Sequence, residues 1–303
     1  MFIRVGEVLR ELRKQKGLTQ EELAGERDKS NLSRVERGKQ SLSRTQLETY
    51  LDRLGYDLTY FLHHVLDDAE FNVYSLRDEL DNHVSNFDYV KAKEVIARIE
   101  DKQNNTYFKD GPHLQFLLKN KAWICMYEDP QNAHDMLQDA IRITIQDFDE
   151  ARIESYLLAR YDIEVINLLA STTHLLGNTD SAILILKLLA NNVRNRGINP
   201  YEKARSLTLI LHNLSIFYGS MKRYEDALEL CEEAICIGQE NRCYGLLPRV
   251  LYNKGYSLFH LEKKEESLIF LRDAYHTSRA FGLYELADTI KAKAKDNFGM
   301  DTI

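Results

Sequence analysis

Glycine and proline are scarce in this 303-residue chain, at 14 and 4 residues. With so few helix breakers, and with Leu-, Ala-, Glu- and Lys-rich segments throughout, an all-α protein is expected. No apolar run reaches the ~18 residues that a membrane span requires. The opening Met1-Phe2-Ile3-Arg4 leads into an amphipathic helix and not a secretion signal, so a cytoplasmic location is expected. Four cysteines, Cys125, Cys231, Cys236 and Cys243, form no C-x-x-C pair. That argues against a zinc site or a disulfide framework and for reduced, buried thiols. Catalytic signatures are missing as well: there is no glycine-rich phosphate loop, no H-E-x-x-H and no G-x-S-x-G, and the nine histidines are scattered. No catalytic residue, metal ligand or cofactor is therefore assigned.

Positive charge is also in short supply, and a net charge of −7 sits badly with nucleic-acid binding until the chain is divided. Residues 1–66 hold 12 Lys and Arg against 10 Asp and Glu, whereas the remainder holds 28 against 37. The asymmetry suggests a head that can approach phosphate and a body that does not.

Five short helices are expected in the head. The first runs from about Arg4 to Lys16, with Val5, Val8, Leu9 and Leu12 on one face and Gly17 as its stop. The second opens on Thr19-Gln-Glu-Glu22, a capping box, and buries Leu23 and Ala24. The third spans about Ser30 to Arg37, with Leu32 and Val35 inward. A second capping box, Ser43 with Gln46, starts the fourth, which carries Leu47, Tyr50, Leu51 and Leu54. Asp57 caps a fifth, carrying Leu58, Phe61 and Leu62. Two short helices joined by a tight turn make a helix-turn-helix, whose second helix enters the DNA major groove.

The ordered run Leu18-Thr-Gln-Glu-Glu-Leu-Ala24 … Ser30-Asn-Leu-Ser-Arg-Val-Glu-Arg-Gly38 resembles the XRE/Cro-like helix-turn-helix family. The resemblance implies that Gln20 meets a phosphate and that Lys29, Ser30, Asn31 and Arg34 face base edges. Ser33 belongs to the same DNA-contacting set, and Arg37 and Lys39 grip the backbone. Arg13 and Glu36 match a family pair that bridges the first and third helices, which is a structural role. One departure is the short connection between Ala24 and Leu32, where Glu26-Arg27-Asp28 replace an expected apolar residue.

A linker over 67–73 is expected to lead into a repeat domain over 74–303. Asn213-Leu-Ser-Ile-Phe-Tyr218 … Arg223-Tyr-Glu-Asp-Ala227 … Ala234 recurs as Asn253-Lys-Gly-Tyr-Ser-Leu258 … Lys264-Glu-Glu-Ser267 … Ala274, an offset of 40 residues throughout. Small residues at 227 and 234, then at 267 and 274, let paired helices pack closely, the logic of the tetratricopeptide repeat. Fainter copies carry Ala133 with Ala140, Ala182 with Leu189, and Ala92 with Ile99. About five helical pairs in a right-handed superhelix are expected, closed by a capping helix over 284–296.

A helix-turn-helix head on such a body resembles the PlcR and Rgg group of Gram-positive regulators that sense short signalling peptides. The resemblance implies a quorum-sensing transcription regulator with three partners: double-stranded DNA carrying a near-palindromic operator, a second copy in a homodimer, and a short oligopeptide held on the concave face. In PlcR-like members asparagines hold the peptide backbone, since an amide offers both donor and acceptor. Asn213 matches that motif, with Asn167 one repeat earlier and Asn253 one repeat later; Arg249, Tyr252 and Tyr256 would complete the site. Arg249 would suit an acidic side chain or the peptide carboxylate. Two other readings stand beside this one: a regulator whose repeats bind a protein partner or only dimerise, and an enzyme or phosphatase-like scaffold.

Overall fold

The computed structural model describes residues 2–25, 29–58, 61, 65, 68–101, 107–109 and 111–298, and the chain divides into two compact units, Met1–Leu76 and Arg77–Ile303. The first unit contains α1 (Phe2–Gln15), α2 (Gln20–Ala24), α3 (Lys29–Val35) and α4 (Arg44–Leu54). Both capping boxes form: the Glu22 amide donates to Thr19 Oγ1 while the Thr19 amide donates to Glu22, and Ser43 and Gln46 repeat the exchange. Leu9, Leu23, Leu32, Val35, Tyr50 and Leu51 close a core between the four helices. At Gly6 the backbones of α1 and α3 approach closely; a Cβ there would lie 1.9 Å from the Val35 carbonyl oxygen. The third helix closes at Val35, two residues before the expected end. Of the expected fifth helix, Phe61 donates its amide to the Asp57 carbonyl and is buried. Leu62, like Glu26-Arg27-Asp28 of the turn, lies outside the described residues.

The second unit is built from helical pairs. The helix α5 (Asp68–Ser85) begins inside the segment expected to be linker, so residues 68–73 are helical, and its part from Arg77 onward belongs to the second unit. It pairs with α6 (Tyr89–Glu100), bridged by Arg98 to Glu79 at 2.6 Å. There follow α7 (Gly111–Cys125) with α8 (Pro130–Arg142), α9 (Arg160–Leu175) with α10 (Thr179–Arg194), α11 (Pro200–Ser220) with α12 (Tyr224–Glu240), and α13 (Leu247–His260) with α14 (Lys264–Ala280). The chain's described part ends in α15 (Tyr284–Phe298), the expected cap. Among the described residues this gives the five pairs expected from the repeats.

The 40-residue period is visible in the backbone as well as in the side chains. Lys222 and Glu262 both turn the chain with positive φ, 61° and 63°, at the same point of successive repeats. Ala227, Ala234, Ser267 and Ala274 are all buried where paired helices meet. Gly255 sits so close to α14 that a Cβ would come within 2.8 Å of Leu271 Cγ, and Ser267 Oγ donates to its carbonyl. Upstream the period lengthens because a 3₁₀ turn, Glu150–Ser155, is inserted between α8 and α9. Asn192 on α10 holds that insert, its Nδ2 donating to the carbonyls of Ile153, Glu154 and Tyr156. The first helices of pairs two to five, α7, α9, α11 and α13, contact one another in turn and form one layer of the unit. Its open side is called the inner face below.

Candidate DNA-reading helix and inner-face site

On α3 the exposed positions fall on one stripe. Ser30 and Arg34 are one helical turn apart and both are exposed; Arg37, exposed too, continues the stripe just beyond the helix end. Asn31 and Ser33 flank it and are only half-exposed. Arg37 is folded back onto Ser33, donating from Nε to its carbonyl at 3.0 Å and from its terminal nitrogen to its hydroxyl. Asn31 has its Oδ1 buried without a partner, so that oxygen is closed to a base edge. Lys39 is exposed in the turn after α3. The side chain of Lys29 lies outside the described residues.

Behind that stripe stands the bridge between α1 and the end of α3. Arg13 donates to Glu36 through Nε at 2.6 Å and through a terminal nitrogen at 2.9 Å, and to the Leu18 carbonyl at 2.7 Å. The hydrogen bond to Glu36 raises the Arg13 pKa further. Sequence reasoning placed this pair correctly as structural but missed its third member. Gln20 Nε2 donates to Glu36 Oε2 at 2.7 Å, which orients the amide and leaves its second N–H uncommitted to that carboxylate.

The inner face carries a line of charge that crosses four helices. Lys119 on α7 is buried, its ammonium 3.2 Å from Asp81 on α5 and 2.9 Å from Glu164 on α9. Burial opposes the lysine charge, but the two carboxylates outweigh it and raise the pKa. Glu164 also accepts from Arg160 and from Arg205 on α11, each at 3.1 Å. Burial alone would raise the Glu164 carboxyl; Lys119, Arg205 and Arg160 overcome it and hold the pKa at about 2. None of these residues was singled out from the sequence: Arg160 and Glu164 are an ordinary i,i+4 pair, and the partners that join the helices lie about 40 residues apart, a separation that leaves no local pattern.

A second line consists of asparagines, one on each first helix from α7 to α13: Asn120, Asn167, Asn213 and Asn253. Each described amide nitrogen with a partner on the preceding first helix points back along the layer. Asn120 Nδ2 donates to Asp81, Asn213 Nδ2 to Ser171 Oγ at 3.4 Å, and Asn253 Nδ2 to Ser215 Oγ at 2.9 Å and to His212 Nδ1 at 3.1 Å. Asn213 and Asn253 are half-exposed, whereas Asn120 and Asn167 are buried with their Oδ1 atoms unpartnered. Asn167 thus departs from the expected open position. Asn120 was missed, although it precedes Asn167 by 47 residues and Asn167 precedes Asn213 by 46.

The remaining expected residues separate. Arg249, one turn before Asn253 on α13, reaches the other end of the layer: it donates to the Ser85 carbonyl at 2.8 Å and lies 4.8 Å over the Phe87 ring. His212 is held neutral, its pKa pushed down to about 3 by burial and by the Arg249 cation. Tyr256 stands in an aromatic group with Tyr224 and His260, whose own rings stack at 4.5 Å. Tyr252 does not join the inner face; it packs against the Leu251, Ala274 and Ile290 cluster that seats α15, with Lys293 over its ring. A separate cavity of about 410 Å³ lies between α10, α11 and α12, away from these residues, with Lys187 and Arg194 on one wall and Asp226, Glu229 and Glu233 on the other. Among the described residues no His, Cys, Asp and Glu side chains gather as a metal site, and no helix is long and apolar enough to cross a membrane.

Comparison with known proteins bears on both units. Residues 4–59 match the family model described as a helix-turn-helix domain, and residues 207–240 match a tetratricopeptide repeat. Bacillus thuringiensis PlcR, solved in complex with the peptide PapR7 and DNA, superposes with a TM-score of 0.77 at 16% identity, over 95% of this chain and 99% of that one. The fold is that of PlcR and Rgg. ComR from S. thermophilus, in complex with DNA and its signalling peptide ComS, superposes with a TM-score of 0.64 at 17% identity, covering 98% of this chain and 100% of its own. The Streptococcus dysgalactiae SHP pheromone receptor Rgg2 gives 0.63 at 17% identity, over 97% of this chain and 99% of its own. A search of curated proteins finds no match. A helix-turn-helix head and a tetratricopeptide-like body are thereby shown for nearly the whole chain.

Proposed function

We propose that the protein is a cytoplasmic, homodimeric transcription regulator of quorum-sensing type, which reads DNA with α3 and answers to a short peptide on its inner face. One observation carries the reading. The PlcR–Rgg fold runs through almost the whole chain, and the two surfaces it would use for DNA and peptide both present suitable groups. On the head, Ser30 and Arg34 are exposed side by side on α3, as base readout requires. Lys29, at the start of α3, is assigned to base edges with them; Arg37 and Lys39 supply charge for phosphates, and the free N–H of Gln20, oriented by Glu36, adds a neutral contact. Asn31 and Ser33 serve the helix rather than the bases. The Arg13–Glu36 bridge fixes the angle at which α3 is presented.

On the body, Asn213 and Asn253 keep half-exposed amides on neighbouring first helices, groups that can meet a peptide backbone whatever its side chains. Two heads on a C2 dimer would read half-sites about one helical turn of DNA apart, and would require a nearly palindromic operator. The test is selection of DNA from a random pool with the full chain, together with mass spectrometry of peptides it retains from culture supernatant. A palindromic consensus lost in Arg34→Ala, plus a retained short peptide, is the expected result. Selected DNA without any peptide would favour a repeat unit that binds a protein or only dimerises.

A further inference from the structure

Arg249 differs from three cations of the inner face, Lys119, Arg160 and Arg205. All three meet the carboxylate of Glu164. Arg249 has no acidic partner among the described residues; the ionisable groups that face it are Tyr89, Tyr127 and the neutral His212. Its guanidinium is instead spent on the Ser85 carbonyl at the end of α5 and on the face of Phe87, in the turn between α5 and α6. That contact joins the fifth pair to the first across 164 residues of sequence.

A backbone carbonyl is a weak substitute for an anion. A carboxylate would take the guanidinium through two charge-assisted hydrogen bonds, each roughly twice as strong as a neutral one. The site is furnished for such a ligand: Phe87 and Tyr89, set edge to face at 6.1 Å, give it aromatic walls, and Trp123 neighbours Tyr89. Asn253, one turn further along α13, has its amide nitrogen pinned to Ser215 and His212, which leaves its Oδ1 to accept a peptide N–H next to the carboxylate. Resting on the peptide-binding reading above, we propose that Arg249 is an exchangeable latch, closed on Ser85 in the free protein and released when a peptide carboxylate takes the guanidinium. Ligand capture and separation of the first pair from the fifth are then one event, which gives the bound state a geometry that the free state lacks.

The chain's single tryptophan reports on this site. The full-length protein is titrated with three mixtures of randomised short peptides: free acids lacking Asp and Glu, C-terminal amides containing Asp and Glu, and amides lacking both. Binding is followed by calorimetry, and the latch by Trp123 fluorescence and amide exchange over residues 85–89. A mixture that carries the recognised carboxylate raises exchange and shifts the fluorescence, and whichever of the first two mixtures acts identifies the carboxylate as terminal or side-chain. The mixture without carboxylates leaves both signals unchanged. In Arg249→Gln exchange over 85–89 is already raised without peptide, and carboxylate peptides bind about tenfold or more weakly. Phe87→Ala, which keeps the guanidinium, raises exchange as well but retains the preference for carboxylates. Binding by wild type with no change over 85–89, or equal opening by the uncharged mixture, overturns the latch while leaving peptide binding intact. The absence of binding by all three mixtures overturns both.

Discussion

Arg34 and Glu36 lie two residues apart and do opposite work. Arg34 is exposed, with no hydrogen bond or ion pair from its side chain to any described residue, so its removal touches little inside the protein. Arg34→Ala should leave the melting temperature near that of wild type and cost about 1–3 kcal/mol on a selected DNA site, with relaxed specificity at the base it contacts. A mobility-shift titration with matched and mismatched sites measures both effects. Glu36 is buried and neutralises Arg13 while holding Gln20. Glu36→Ala leaves a buried guanidinium unpaired and should destabilise the head by about 3 kcal/mol or more, read as a lowered unfolding midpoint.

The same scale holds a pH response. His212 is neutral in the folded chain, with a pKa near 3, whereas an unfolded histidine titrates near 6.5. As pH falls below about 6.5 the unfolded chain takes up a proton that the folded chain refuses, so stability drops until pH nears 3. Between pH 6.5 and 5 the loss is about 2 kcal/mol. Glu164, depressed to about 2, contributes stability that is complete above about 4.5 and lost below it, so His212 acts alone between about pH 6.5 and 4.5 and the two losses overlap below that. Denaturant titrations at several pH values should show the upper slope vanish in His212→Gln and the lower one remain.

At the scale of elements, close helix contacts depend on what is left out. Gly6 lets α1 reach the backbone of α3, and a methyl group there would meet the Val35 carbonyl, which cannot move without moving α3. Gly6→Ala should cost about 2 kcal/mol or more in stability and weaken DNA binding beyond what unfolding explains. Thermal melts combined with DNA titrations below the melting range separate the two losses.

Elements also show what could be read in advance. Capping boxes at Thr19–Glu22 and Ser43–Gln46, and the small residues at 227, 234, 267 and 274, were legible because their partners sit within one turn or recur at a fixed spacing. The start of α5 at Asp68 was not: a polar stretch before an apolar pattern looks like a connector. Burial of Asn167, the third partner in the Arg13–Glu36 bridge and the reach of Arg249 to Ser85 all depend on pairings 16 to 164 residues apart. No local pattern encodes those.

For the whole molecule, the proposed function rests on coupling between a DNA site on one unit and a peptide site on the other. If both ligands bias one equilibrium, each must change the affinity of the other by the same factor. The most direct measurement is therefore a pair of titrations on the full chain: selected DNA with and without the retained peptide, and the peptide with and without that DNA. Equal and substantial factors in the two titrations are the expected result, with a typical coupling of about 1–3 kcal/mol. Peptide affinity that is identical with and without DNA would contradict regulation by peptide.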